Sequence, residues 1–437
     1  MEAPAGMSTI AAMVVRIGRN AKGNHMPWTK SQKNVVVAAY LGWTLDAFDF
    51  FLMVFMFKDI AATFHVDVKS VAEATFLTLA ARPIGAFVFG RLADRFGRKP
   101  TLMWNILAFS ILEAASGFAP SLTAFLALRF LFGIAMGGEW GIGSALTFET
   151  IPTRARGVVS GLLQAGYPSG YFVAAIATFF LYDRLGWRYM FLLGVAPAIL
   201  VFFVRMGVDE SPAFLEKRIK KENSNLFEVV GRNWKIALYA IILMTAFNFF
   251  SHGSQDAYAN LFLKVQHHFD TQAAATMVIV MNVGAILGGI SFGWLSERLG
   301  RRRTIVIAAA LALPVIPFWA FGSTPLILGI GAFLMQVSVQ GAWGIIPVHL
   351  NELSPPEIRA TFPGFVYQLG NLFASRNLPI QVAIAEAYGN NYGLAMASVI
   401  GTVVVLIVLL VLWGPERRGV AMADSQRQPV SADAAPV

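Results

Sequence analysis

The sequence predicts an all-α integral membrane protein with twelve transmembrane helices in two pseudo-symmetric six-helix bundles. Three observations predict it: apolar runs of spanning length recur along the chain, the cations sit on alternate loops, and the second half repeats the first at one offset. Of the 437 residues, 56% are hydrophobic and 14% charged, with mean hydropathy +0.61. A soluble domain is nearer a quarter charged.

About twenty apolar residues span a bilayer. Runs of this kind start near Asn34, Val71, Thr101, Leu122, Gly157 and Trp187, and again near Trp234, Thr271, Thr304, Pro325, Ala360 and Asn391. Residues 1–33 read as a cytoplasmic tail, because the first run is too long, and Asp46 too central in it, for a signal peptide. The bundles then occupy 34–206 and 234–414. A charged linker at 207–233, containing DESPAFLEKRIKKENSN, joins them, and 415–437 forms a second tail.

A net charge of +9 could suggest nucleic acid, but its distribution points elsewhere. With the N-terminus inside, 26 of the 34 lysines and arginines fall on inner segments, five outside and three within helices. That asymmetry puts both termini in the cytoplasm, at the cell inner (plasma) membrane, with the lipid bilayer and not nucleic acid as the partner. The absence of cysteine excludes disulfides and thiol chemistry. The chain has no HExxH, nucleophile elbow or metal cluster, and no P-loop lysine follows the glycine-rich GIAMGGEWGIG, which reads as a helix-packing surface. Neither an enzyme nor a cofactor or metal is expected.

The repeat offset is 203. GRLADRFGRKP at 90–100 recurs as GWLSERLGRRR at 293–303; Glu149, Pro152 and Arg156 align with Glu352, Pro355 and Arg359; Gly138, Trp140 and Gly141 align with Gly341, Trp343 and Gly344. Asp94, Arg95, Arg98 and Lys99, with the counterparts Glu297 and Arg298, and Glu149 lie at inner helix ends, where carboxylates and cations can lock neighbouring helices in one state. The alternative is that the cations only set topology. The repeated G-x-L-A-D-R-x-G-R-K/R, with PTRARG, DESPAFL and GPERRG after the fourth, sixth and twelfth helices, resembles the major facilitator superfamily. The resemblance implies two bundles that rock about a central site, exposing it to each side in turn.

Ionisable groups at mid-membrane cost about 2.5–3.5 kcal/mol each, which makes them functional candidates. In NFFSHGSQDAYAN (248–260), Asn248, Ser251, His252, Gln255 and Asp256 fall within an arc of about 140° on a helical wheel. His252 and Asp256, four apart, can meet and exchange a proton. Arg129 can grip a carboxylate bidentately and matches Asp49 in depth, so either an Asp49–Arg129 pair or an arginine shared with substrate is expected. Asp46 and Asp49 share one face, and two close carboxylates do not both ionise easily. Glu139, whose repeat position is Ala342, is a second proton-site candidate. Arg376 could contact an anion or neutralise Asp256. Arg82 and Glu113 read as packing or interfacial residues.

N-x-x-S-H-x-S-Q-D at 248–256 resembles the seventh-helix motif of the proton-coupled monocarboxylate (lactate/pyruvate) permeases of the sialate:proton symporter group, departing at Asn260, where that family has threonine. RFLFGIAMGG, led by Arg129, and YQLGN, carrying Gln368 and Asn371, match two further blocks. The resemblance implies symport of a small monocarboxylate with a proton, with Arg129, Gln368 and Asn371 on the substrate, by a protein expected to be monomeric. Sialate or another organic acid is the near alternative. A nutrient sensor that does not transport is the alternative of a different class.

Overall fold

The computed structural model describes residues 28–220, 226–423 and 426. Most of the two expected tails, and residues 221–225 of the expected linker, lie outside that range. The described chain is helical. It runs through α1 (Lys30–Phe55), α2 (Val68–Phe96), α3 (Arg98–Gly117), α4 (Leu122–Thr150), α5 (156–185) and α6 (187–206). The second half follows as α7 (Trp234–Gln266), α8 (Thr271–Leu299), α9 (Arg301–Phe321), α10 (Pro325–Leu353), α11 (362–387) and α12 (Tyr392–Trp413). Taken alone, eight of the described helices are long and apolar enough to cross a membrane.

Local chemistry sets the helix ends, and it repeats. Asp67 caps α2 by accepting from the Ser70 N–H, and Asp270, 203 residues later, caps α8 by accepting from Ala273. Ser121 and Thr324, again 203 apart, cap α4 and α10. Gly97 (φ 112°) and Gly300 (φ 96°) end α2 and α8 in a conformation that a side chain rarely adopts. Thr29 and Gln32 close a capping box at the start of α1.

The helices approach through small residues, as helices in lipid do. A Cβ on Gly85 would lie 2.6 Å from the Ile134 carbonyl carbon, and one on its counterpart Gly288 would lie 2.7 Å from Val337 Cα. Phe179, Ile176 and Phe203 are among the exposed large side chains that form an apolar coat.

The two halves meet mainly at the end bearing the α2–α3 and α8–α9 turns, here the motif end. A Cβ on Gly141 would stand 2.7 Å from Gly364 Cα, and one on Gly161 would stand 2.8 Å from the Gly289 carbonyl carbon. Among the described residues, the hydrogen bonds joining the halves sit at this end. Arg205, counted above with the inner loop cations, lies on α6 and is buried.

Candidate functional site

The motif end carries a doubled ionic latch. Arg98 holds Glu149 bidentately, Nε to Oε2 at 3.0 Å and Nη2 to Oε1 at 3.0 Å; Arg301 holds Glu352 likewise, at 3.1 and 3.2 Å. Each glutamate is also approached by an arginine of the other half: Arg359 Nη1 is 3.8 Å from Glu149, and Arg156 Nη1 is 3.7 Å from Glu352. Asp94 accepts from the Ala360 N–H (3.1 Å), the Thr361 N–H (3.2 Å) and Thr361 Oγ1 (2.6 Å). Glu297 reciprocates on the Gly157 N–H, 203 residues before Ala360.

Glu210 accepts from the first amides of α3, Arg98 at 3.0 Å and Lys99 at 3.1 Å; Glu416 does the same for α9, Arg301 at 2.9 Å and Arg302 at 3.1 Å. Both carboxylates face the positive ends of helix dipoles. Lys217, on the linker helix Pro212–Ile219, donates to the Glu357 carbonyl at 3.0 Å. Burial lowers its ammonium from the usual value against the pull of Asp94.

A strap from beyond α12 crosses this face. Gln426 Nε2 donates to the carbonyls of Phe148 (3.1 Å), Glu149 (2.8 Å) and Ile151 (2.9 Å), and its Oε1 accepts from Arg156 Nη2 at 2.7 Å.

At mid-depth lies a polar centre. His252, about 27 Å along α7 from Trp234, faces Asp256 Oδ1 with Nδ1 at 3.1 Å and Asn371 Oδ1 with Nε2 at 2.9 Å. Both ring nitrogens meet oxygen acceptors, an arrangement that suits a protonated ring. The His252 and Asp256 side chains are 30% and 29% exposed, so the pair is partly accessible. Just beyond Asp256 the helix widens into a π-helical stretch, Tyr258–Gln266, a distortion often found at functional positions. Gln255 Nε2 reaches Gln336 Oε1 on α10 and Ser251 Oγ, both at 3.3 Å. Asn248 is buried and donates to Met244 O at 2.8 Å; Gln368 is buried with its Oε1 unpartnered. Across the halves, Trp43 and Trp140 both meet Tyr367, the Trp140 and Tyr367 centroids being 4.7 Å apart; Tyr167 packs on Trp43, and Trp343 on Tyr367.

Several expected partners are exchanged. Arg129 does not bond Asp49. Its Nη2 pairs with Glu113 Oε2 at 2.9 Å and donates to Ser116 Oγ. Asp49 Oδ1 is buried without a partner. Equal depth left the helix face undetermined, and Glu113 on α3 has the better one. Glu139 pairs with Arg205, Nη1 to Oε2 at 3.1 Å. Arg82, read as packing, approaches Asp46 at 3.7 Å. Arg376 is exposed where α11 breaks at Ser375, and Asp256 is met instead by Asn377 Nδ2 at 3.2 Å.

Arg95 and Arg298 stand outside the latch. Both are exposed and lie over rings of their own helices, Phe96 at 5.2 Å and Trp294 at 4.0 Å, while the latch uses the arginine three positions on in each repeat. Sequence reasoning also missed Gln336, Asn377 and Gln381, whose Nε2 donates to Gly253 O at 2.7 Å. Lone amides in apolar helices gave little signal.

Two helical halves, latched at one end and holding titratable groups at mid-membrane, define a multi-pass membrane carrier. The chain belongs to the Major Facilitator Superfamily, whose profile matches residues 39–375. It is 28% identical over 421 residues to a carboxylic acid transporter protein homolog of Saccharomyces cerevisiae, covering 88% of this chain and 68% of that protein. It is 26% identical to the sialic acid transporter NanX of Escherichia coli, with coverage of 88% and 94%, and 30% identical to the putative niacin/nicotinamide transporter NiaP of Bacillus subtilis, with coverage of 78% and 86%. The fold matches the proton:xylose symporter XylE bound to 6-bromo-6-deoxy-D-glucose, with TM-score 0.73 and 18% identity over 88% of this chain and 96% of that one. The relatives are transporters, not enzymes.

Proposed function

We propose that the protein is a secondary transporter that carries a small monocarboxylate, lactate or pyruvate, across the cell inner membrane together with a proton. The observation that carries this reading is the His252–Asp256–Asn371 group at mid-depth, in which the buried Asn371 meets a partly exposed His252–Asp256 pair. Its amides and imidazole can hydrogen-bond a small polar substrate, and His252, Asp256, Asp46, Asp49 and Glu139 supply sites for the proton. Relatives described as transporters of carboxylic acids, sialic acid and niacin support an organic anion as cargo. They favour sialate or another organic acid as the second reading.

A lone anion entering against an inside-negative potential is opposed by about 2.3 kcal/mol per 100 mV, which a co-transported proton cancels. Bundles 34–206 and 234–414 would move as units about the site. The motif end faces the cytoplasm, and Asp94, Glu149 and Glu297 gate it.

The test is counterflow in proteoliposomes with lactate, pyruvate, nicotinate and N-acetylneuraminate, followed by uptake under an imposed inward proton gradient. Lactate or pyruvate should exchange and be concentrated by the gradient. Exchange of sialate alone would move the reading to the second cargo. Binding without exchange would mark a sensor and defeat transport.

A further inference from the structure

Arg82 has an unusually poor set of partners. It is 3% exposed, yet its Nη2 stands 3.7 Å from Asp46 Oδ2, beyond hydrogen-bond reach. Its hydrogen bond goes instead to the Met136 thioether at 2.9 Å, a weak acceptor, and its Nε has no partner. Buried donors of this kind normally have oxygen acceptors. Arg98 and Arg301 have bidentate glutamates, and Arg205 has Glu139. Arg129 has the Glu113 carboxylate, the Ser116 hydroxyl and the Leu112 carbonyl at 3.4 Å, with the Phe132 ring 4.2 Å from its guanidinium carbon. Arg129, whose Nε is likewise unpartnered, still has a carboxylate at 2.9 Å within its own bundle, whereas Arg82 has none within hydrogen-bond reach.

The location fits a ligand. Arg82 is about 21 Å from the motif end of α2 and Asp46 about 24 Å along α1, so the two are level at mid-depth. Arg82, Asp46 and, from the second half, Asp256 all act electrostatically on the Tyr167 phenol.

We propose that Arg82 receives the substrate carboxylate and that Asp46 takes up the coupled proton when it does. This inference rests on the organic-anion reading above. Within the protein one guanidinium faces one carboxylate at long range. An arriving carboxylate offers two oxygens to the planar fork and displaces Asp46 from it. Two carboxylates then compete for one cation, and protonation of Asp46 removes the conflict. The charge balances: guanidinium plus aspartate, then guanidinium plus substrate anion plus neutral aspartic acid, with one anion and one proton added. The other charged and titratable groups about Asp46 are Glu139 with its partner Arg205, Asp49 one turn along α1, and the phenols of Tyr167 and Tyr367. Glu139 is neutralised by Arg205, and Asp49 lies beside the Glu113–Arg129 pair rather than Arg82, which leaves Asp46 to answer the substrate charge.

Isothermal titration of the purified full chain, with the carboxylate that counterflow selects, in two buffers of different ionisation enthalpy, tests both parts. The wild type should take up about one proton per bound ligand. Arg82→Gln should weaken binding by about 10- to 150-fold, the loss of charge-assisted hydrogen bonds, and Arg129→Gln far less. Asp46→Asn should still bind but take up no proton. Near-wild-type affinity in Arg82→Gln, or continued proton uptake in Asp46→Asn, would overturn the proposal. If Arg82→Gln loses its unfolding transition, the Asp46→Asn arm decides alone. A wild type that binds no carboxylate defeats the organic-anion reading and this proposal with it, an outcome visible before any variant is made.

Discussion

Gly161→Ala should push the protein away from the state in which the motif end is closed. The three atoms nearest a Cβ at Gly161 all belong to the other half: the Gly289 carbonyl oxygen, its carbonyl carbon at 2.8 Å and Ile290 Cα at 3.0 Å. Carbon atoms rest comfortably about 3.5–4.0 Å apart, so α5 and α8 must separate by roughly 1 Å to admit the methyl. Overpacking of this kind costs about 1–3 kcal/mol. Because the nearest clashes are across the halves, that cost falls on the closed arrangement. The gain in helix propensity, about 1 kcal/mol from glycine to alanine, is common to both folded states and cancels. The closed-to-open ratio should therefore fall by about 5- to 150-fold.

The chain has no cysteine, so spin labels can be placed through Arg95→Cys and Arg298→Cys, at exposed positions outside the latch. Pulsed dipolar spectroscopy should give a short distance in the parent and an added longer population with Gly161→Ala. Gly401→Ala, whose Cβ would meet only Ile316 Cδ1 at 4.0 Å, is the control. An unchanged distribution, or the same lengthening in the control, would refute the reasoning.

Three further outcomes are expected. Arg98→Ala leaves Glu149 buried with only the Ser211 hydroxyl and the distant Arg359 and should cost about 3–5 kcal/mol, read as a lower unfolding temperature in detergent, whereas Arg95→Ala should leave it unchanged. Asp94→Asn weakens the three contacts to Ala360 and Thr361, so the Arg95–Arg298 label distance should lengthen; an unaltered distance would remove Asp94 from the closure. His252→Gln, which loses one of the ring's two contacts, should weaken carboxylate binding by about 2- to 12-fold while keeping the proton uptake of the wild type.

The number and order of helices were readable because spanning length and positive-charge bias are one-dimensional properties. The 203 offset was readable too, and it goes deeper than the motifs: Asp67 with Asp270 and Ser121 with Thr324 serve as paired caps. Pairing within the membrane was harder to read. Rise per residue gives the height of Arg129 and Asp49 but not their azimuth, and Glu113 on α3 was at the same height with the better face. Arg205 was counted as a loop cation because positive charge near a helix end normally meets water. Arg98 and Arg301 looked like their exposed neighbours Arg95 and Arg298, since only the turn at Gly97 and Gly300 determines which arginine folds inward.

The strap at Gln426 has a consequence for how the protein is made. Its amide side chain bridges the α4–α5 connection and Arg156, residues that leave the ribosome long before it does. Chains are synthesised from the N-terminus at about 5–20 residues per second, so roughly 270 residues and every remaining helix must appear before this bridge can form. Through that interval Arg156 and the carbonyls of Phe148, Glu149 and Ile151 lack the partner they have in the finished fold. A nascent chain therefore holds its first bundle with an incomplete motif end, and the last bonds across that end can form only once the twelfth helix has already emerged.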